Sequence, residues 1–334
     1  MKNFWDKLPK PFFCLAPMAD VTDAAFRRII CKYGKPDVFW TEFVSADGLV
    51  SERRKVLKNN LIFSKKPARP HDKSGAGGEK PIVAQLFSAN PIKMRQASKY
   101  VASLGFDGID INMGCPDKSI EKQCAGATMM KNPEKAREII QAVKNGIKDA
   151  KKKISVSVKT RIGYNKNQIN EWIPFLLKQD IDALVIHART RKEMSKVPAR
   201  WEYVREVVEI RNRMRVKTKI IGNGDVRNIK HGRKLAKETG CDGIMIGRAI
   251  FGNPWLFSRS EKSHSIKQKL KVMLEHTKLF EKILGRHKNF AVMKKHFKAY
   301  VNGFNGAKEL RMELMETKSS KEIEAIINKF LKNH

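Results

Sequence analysis

Residues 182–187 read Asp182-Ala183-Leu184-Val185-Ile186-His187. Four apolar residues stand in a row between an acid and an imidazole. A strand with one wet face would alternate apolar and polar, so an unbroken run points to a parallel strand covered on both faces. Similar short, β-branched runs lie at residues 11–16, 37–43, 81–87, 106–112, 154–161, 219–223 and 242–247. Segments of helical periodicity separate them. Residues 133–147, for example, put Ala136, Ile139, Ile140, Val143 and Ile147 on one face, with Asn132 as N-cap and Pro133 as the first helical residue. Eight strand–helix units over roughly 250 residues give an α/β chain built as a (β/α)8 TIM barrel. A doubly wound sheet is the alternative, but its Gly-x-Gly-x-x-Gly fingerprint does not follow the first strand.

The strand signal stops near residue 266. Helical spacing continues over 266–284, 290–304, 307–315 and from Ser319 or Ser320 onward, and Ser319 with Glu322 forms a capping-box pattern. Two domains are therefore expected, a barrel over residues 1–258 and an all-helical domain over 259–334. Gly75-Ala76-Gly77-Gly78 imitates a phosphate cradle. A strand rather than a helix follows it, so residues 65–80 read as an exposed insertion.

Among 334 residues, 68 Lys plus Arg face 34 Asp plus Glu, for a net charge of +34. The excess suits a polyanionic partner (RNA, DNA or an acidic surface), although a general lysine bias would also produce it. The helical tail is somewhat denser in charge, with 18 basic residues against 8 acidic ones. A hydrophobic fraction of 41% excludes a disordered chain. No apolar run approaches the ~20 residues of a membrane span, and prolines 9, 11 and 17 interrupt any signal-peptide core. Five cysteines without a Cys-x-x-Cys fit a reducing, cytoplasmic setting and no metal. No apolar interface segment stands out, so a monomer is expected.

Barrel chemistry sits where the strands end. Those ends carry Ala16-Pro17-Met18, Thr41-Glu42, Gln85, Asp110-Ile111-Asn112, Lys159-Thr160-Arg161, His187-Ala188-Arg189, Gly222-Asn223-Gly224-Asp225 and Gly247-Arg248. The last two suit a phosphate: glycines admit close backbone approach and Arg248 supplies charge, although tight turns needing positive φ would also use them. Cys115 lies just past the fourth strand between Gly114 and Pro116. A thiol there could be a nucleophile, a proton donor or half of a redox pair with Cys124.

These segments resemble the tRNA-dihydrouridine synthases, flavoenzymes that reduce selected uridines of tRNA. The resemblance rests on Ala16-Pro17-Met18-Ala19 with Phe26-Arg27, Thr41-Glu42, Gln85-Leu86-Phe87, Asp110-Ile111-Asn112-Met113-Gly114-Cys115-Pro116, Val158-Lys159-Thr160-Arg161, His187-Ala188-Arg189-Thr190-Arg191, Gly222-Asn223-Gly224-Asp225 and Met245-Ile246-Gly247-Arg248. It implies FMN as cofactor, NADPH as reductant and tRNA as partner. Ala16, Pro17 and Met18 would line the flavin, Gln85 would meet its pyrimidine edge and Lys159 its reduced charge. Asn223, Gly224, Asp225, Gly247 and Arg248 would hold the ribityl phosphate. His187 would stand at the cofactor and, with Asn112, position the uracil. Cys115 would protonate carbon 5, and Arg161, Arg189 and Arg191 would meet the RNA. Cys124 replaces a smaller residue of the family pattern and raises the prospect of an unproductive disulfide with Cys115.

Overall fold

A computed structural model describes residues 3–64, 78–258 and 263–333. Eight parallel strands, β1 (Phe12–Leu15), β2 (Phe39–Ser45), β3 (Ile82–Phe87), β4 (Gly108–Met113), β5 (Ser155–Arg161), β6 (Ala183–His187), β7 (Lys219–Asn223) and β8 (Gly243–Ile246), follow one another around the sheet. β1 pairs with β8 on one side. On the other it meets β2 through a parallel bridge between Cys14 and Val38, with Leu15 N donating to Val38 O at 3.1 Å. The ring closes, which rules out the doubly wound sheet.

Period-two alternation divides the side chains. Those facing outward pack under the helices in the larger core. Trp5, Phe12, Cys14, Val38, Trp40, Val83, Ala183, Val185, Ile221 and Met245 form a separate apolar cluster inside the ring. Two residues further along β3, β6 and β7 the inward positions become Gln85, His187 and Asn223, and β5 adds Lys159 beside them. The lumen is therefore apolar below and polar towards the strand ends. Trp5, on the short 3-10 turn Phe4–Lys7, fills the lower end and donates its indole N–H to Ser155 Oγ at 2.6 Å.

The tail consists of helices Ile266–Leu284, Val292–Tyr300, Ala307–Glu316 and Ser320–Asn333. The second is shorter than its periodicity suggested, because Gly303 and Gly306 adopt positive φ and turn the chain. The complete capping box belongs to Ser265 and Gln268. Ser319 accepts from Glu322 N at 3.3 Å, but the Glu322 carboxylate reaches Lys318 N instead of returning to Ser319 N. Apart from Gly78, the Gly75–Gly78 stretch lies outside the described residues, as do residues 259–262 at the expected domain boundary.

The tail packs on the barrel helix Ala24–Tyr33. Phe26 stacks on His276 at 4.9 Å and lies 4.8 Å from His296, while Lys32 and Tyr33 both reach Glu275 at 2.6 Å. Gly252, at φ +69°, makes room for this contact: a Cβ there would stand 2.0 Å from Ala299 O.

Asp23 caps the same helix, accepting from Phe26 N at 2.9 Å, while its other oxygen is buried without a partner. Burial, and then the nearby Glu42, push this carboxyl up to about 6. A pKa raised on folding favours the protonated folded state, so the stability it brings is present below about pH 4 and lost as pH rises through 6. Asp23→Asn keeps a capping oxygen without the charge. It should raise stability at pH 7.5 by on the order of 1–3 kcal/mol, with the gain fading towards pH 4 in thermal melts. An unchanged or lowered melting point at pH 7.5 would contradict this.

Candidate active site

Register builds the site. Parallel pairing sets Gln85 beside Asp110, Asn112 beside Lys159, and His187 beside both Arg161 and Asn223. Gln85 donates to Asp110 at 2.6 Å, Ser157 donates to the other Asp110 oxygen at 2.6 Å, and Asn112 donates to Gln85 Oε1 at 3.3 Å. Asp110 is fully buried and is pushed up to about 6 by burial. This chain orients the Gln85 amide while leaving its second N–H for a ligand.

Asn112 also shapes the loop that follows. Its Oδ1 accepts from Gly114 N at 3.2 Å and Cys115 N at 3.0 Å. Ala127 N donates to Cys115 O at 3.0 Å. Held from both sides, the half-buried Cys115 thiol is pushed up by burial, although Lys159 and Arg161 pull it down. It is a thiol, not a thiolate, at neutral pH.

Lys159 is half-buried and donates to Asn223 Oδ1 at 3.2 Å; Asn223 in turn donates to Met245 O at 2.9 Å. Burial, then Arg161, draws the ammonium down to about 8. His187 falls well below 6.5, through burial and the cations Arg161, Lys159, Arg189 and Arg248. The ring is neutral. Arg189 Nη1 lies 3.2 Å from His187 Nε2, and because arginine only donates, Nε2 accepts and the proton stays on Nδ1.

The three arginines are placed differently from one another. Arg161 is buried, donating to the carbonyls of Gly114 at 2.8 Å, Thr190 at 3.1 Å and Met194 at 2.9 Å, so it binds the β4 and β6 loops together. Arg189 is buried too, held by Asp225, Val197 O and His187. Neither is presented outward, because carbonyl-rich loops enclose both guanidiniums. Only Arg191 keeps exposed surface; Glu121 grips it, and it shares the Tyr164 ring with Lys131, whose ammonium stands 3.9 Å from the centroid.

At the ends of β7 and β8, Asp225 accepts from Arg248 at 2.7 Å, Ala199 N at 2.9 Å and Arg189. Burial raises this carboxyl, but the amide and the two guanidiniums outweigh it and hold it below the usual range. A carboxylate so placed aims Arg248 and would repel a phosphate. Of the three glycines there, only Gly224 has positive φ, at +130°. Gly222 makes room for Trp201, which donates to Gly224 O at 3.0 Å. Gly247 lies against the first-strand loop: a Cβ there would stand in ordinary contact, 3.5 Å from Ala16 Cβ and 3.7 Å from Met18 Sδ.

A family model described as dihydrouridine synthase matches residues 14–334. The chain belongs to the dihydrouridine synthase family. It is 40% identical over 332 residues, covering 98% of this chain and 96% of the relative, to a Staphylococcus aureus (strain MRSA252) protein called probable tRNA-dihydrouridine synthase. A Bacillus subtilis (strain 168) protein called probable tRNA-dihydrouridine synthase 2 matches at 40% over 98% of this chain and 97% of its own. Solved structures share the fold at low identity. Histamine dehydrogenase from Rhizobium sp. 4-9 has a TM-score of 0.52 at 12% identity, over 80% of this chain and 48% of that one. A 2-naphthoyl-CoA reductase has 0.51 at 12%, over 74% and 49%.

For this dihydrouridine synthase family member, sequence reading gave no role to Asp110, Glu42, Trp201 or the Lys131–Tyr164 pair. Their strand-end or near-strand-end positions were the available signal for the first two; nothing marked the others. Among the described residues, no group of three or more His, Cys, Asp or Glu is placed to hold a metal, and no helix is long and apolar enough to cross a membrane.

Proposed function

We propose that this chain reduces uridines of tRNA to 5,6-dihydrouridine, with FMN as bound cofactor and NADPH as its reductant. One juxtaposition carries the reading: a protonated Cys115 thiol, a half-buried Lys159 ammonium and a neutral His187 share one barrel mouth. The residues suit a flat, phosphate-bearing cofactor. Lys159 is a half-buried cation hydrogen-bonded to a neutral amide, Gly247 places side-chain-free backbone beside Ala16 and Met18, and Arg248 is 66% exposed in its side chain at the same strand end.

Bound there, FMN would supply the hydride that carbon 6 of uracil receives. Ala16, Pro17 and Met18 would form its wall, Gln85 would offer its free N–H to the pyrimidine edge, and Lys159 would meet the negative charge left by reduction. Arg248, with the Gly224 and Gly247 backbone, takes the phosphate, and Asp225 aims that arginine. Cys115 gives its proton to carbon 5. His187 keeps its Nδ1–H to offer a base carbonyl, and Asn112 fixes both Gln85 and the Cys115 loop. Arg191 and Lys131 are the cations at the rim open to RNA phosphates, while Arg161 and Arg189 shape the mouth from within. Residues 1–258 act as the catalytic domain and 259–334 as the RNA-binding domain.

The test is anaerobic incubation of FMN-loaded protein, NADPH and an unmodified tRNA transcript, with dihydrouridine read by mass. Product in tRNA supports the reading; equal turnover of free uridine, or no product, overturns it. Lys159→Met should lower the hydride-transfer rate roughly ten- to a hundredfold, the size of a lost charge-assisted contact; a rate within twofold of wild type would remove Lys159 from this role. Affinity for tRNA should fall steeply with salt, with a log–log slope of about −3 or steeper if four or more phosphates are contacted. A flat salt response would remove the phosphate contacts from the account.

A further inference from the structure

Lys288, just beyond the first tail helix, reaches the barrel mouth. Its ammonium donates to both oxygens of Glu42, at 2.8 and 2.9 Å, and to Asp20 Oδ1 at 3.2 Å. The contact is nearly dry: the side chains are 11% exposed for Lys288 and 2% for Glu42. Glu42 lies in β2, where the register with β3 shifts between Trp40 and Phe43. Its Oε1 also accepts from Asp20 N at 2.6 Å. Asp20, at φ +52°, turns the loop that has just passed through Ala16, Pro17 and Met18.

This loop is held at a few points. Ala16 N donates to Ile246 O at 2.9 Å, Met18 N to Thr22 Oγ1 at 2.9 Å, and Arg27 donates to Thr22 O at 2.6 Å. All of these come from the barrel itself. Lys288 adds a hold from outside it. Asp20, Asp23 and Glu42 crowd here with Arg27 and Lys288 as the nearby cations, and Arg27 is already committed to Glu79. A buried carboxylate deprived of its cation must protonate or move.

We propose that Lys288 is a positioning residue of the catalytic mouth, acting through Glu42 and Asp20 to fix the loop that carries Ala16, Pro17 and Met18. The tail thereby contributes to the cofactor wall as well as to RNA binding. This inference rests on the proposed flavin site for its catalytic meaning, but the loop itself can be observed without flavin.

The experiment compares full-length wild type, Lys288→Met, Lys288→Arg, Glu42→Gln and the Lys288→Met/Glu42→Gln double variant. Hydrogen exchange of the peptide covering residues 16–23 is followed with and without FMN, together with FMN affinity and the split between kcat and the KM for tRNA. In Lys288→Met, exchange of that peptide and FMN dissociation should each rise about tenfold or more. The fall should appear in kcat, with KM within about threefold. Lys288→Arg should restore the loop, and the double variant should recover part of it, since removing both charges removes the strain of an unpaired one. Unchanged exchange at 16–23 in Lys288→Met, or a change confined to KM, overturns the proposal and leaves an ordinary docking contact. If wild type binds no FMN the flavin reading fails instead, and the exchange comparison still decides the role of Lys288.

Discussion

If Cys115 is the proton donor proposed above, Cys115→Ala should slow dihydrouridine formation by about 10²–10⁴-fold, the usual contribution of a positioned general acid, and leave FMN binding intact. The Cys115 loop is set by backbone contacts to Asn112 and Ala127 that alanine preserves. The pH dependence follows from the same burial. An acid catalyst must be protonated, and a thiol raised above its ordinary value stays protonated further into the alkaline range. Single-turnover rates in wild type should hold to about pH 7.5, fall through pH 8 as Lys159 loses its charge, and fall again only above the ordinary thiol range as the raised Cys115 thiol ionises. A variant retaining wild-type rate, or a wild-type rate already halved by pH 7.5, would sink the assignment of Cys115 as proton donor.

Arg27→Met should produce the largest loss of stability. The Arg27 and Glu79 side chains are both fully buried, and Nε meets Oε2 at 2.6 Å. The same guanidinium donates to the carbonyls of Thr22 and Ile62. Methionine fills the volume but leaves Glu79 with little beyond Ser64 N, at 3.0 Å, and a distant Arg28, at 3.9 Å. Breaking one side of a buried pair costs about 3–5 kcal/mol, which for a chain of this size lowers the melting temperature by on the order of 10 °C. Replacing both partners, as Arg27→Met with Glu79→Leu, should recover much of that loss, because no unpaired charge then remains. A single variant melting within 2–3 °C of wild type would show that the pair contributes little.

All eight strands were legible because double burial forces continuous apolar runs, and each observed strand lies within about two residues of its run. The strand ends were legible for the same reason, since polar residues at the close of apolar strands have few structural excuses. Direction was not. The sequence assigns Arg161, Arg189 and Arg191 alike to the RNA without saying which way each points, and the loop carbonyls that draw the first two inward come from residues up to 47 positions away. Lys288 and Glu42 are 246 residues apart, beyond any local pattern. Charge was the least legible signal. Lys144, Lys148, Lys151, Lys152 and Lys153 line a depression at the lower end of the barrel beside Asp180 and Asp182, opposite the mouth. Part of the +34 therefore does not join the catalytic opening to the tail.

Trp5 gives the barrel a stopper. With indole and apolar side chains packed below, the lumen is a blind well, and whatever reaches its floor enters and departs through one doorway. Under the proposed function, a reductant and a folded RNA would have to queue for that floor. Such an enzyme would work in turns, one visitor charging the well and leaving before the next arrives, and its initial rates plotted against either visitor would run as parallel lines.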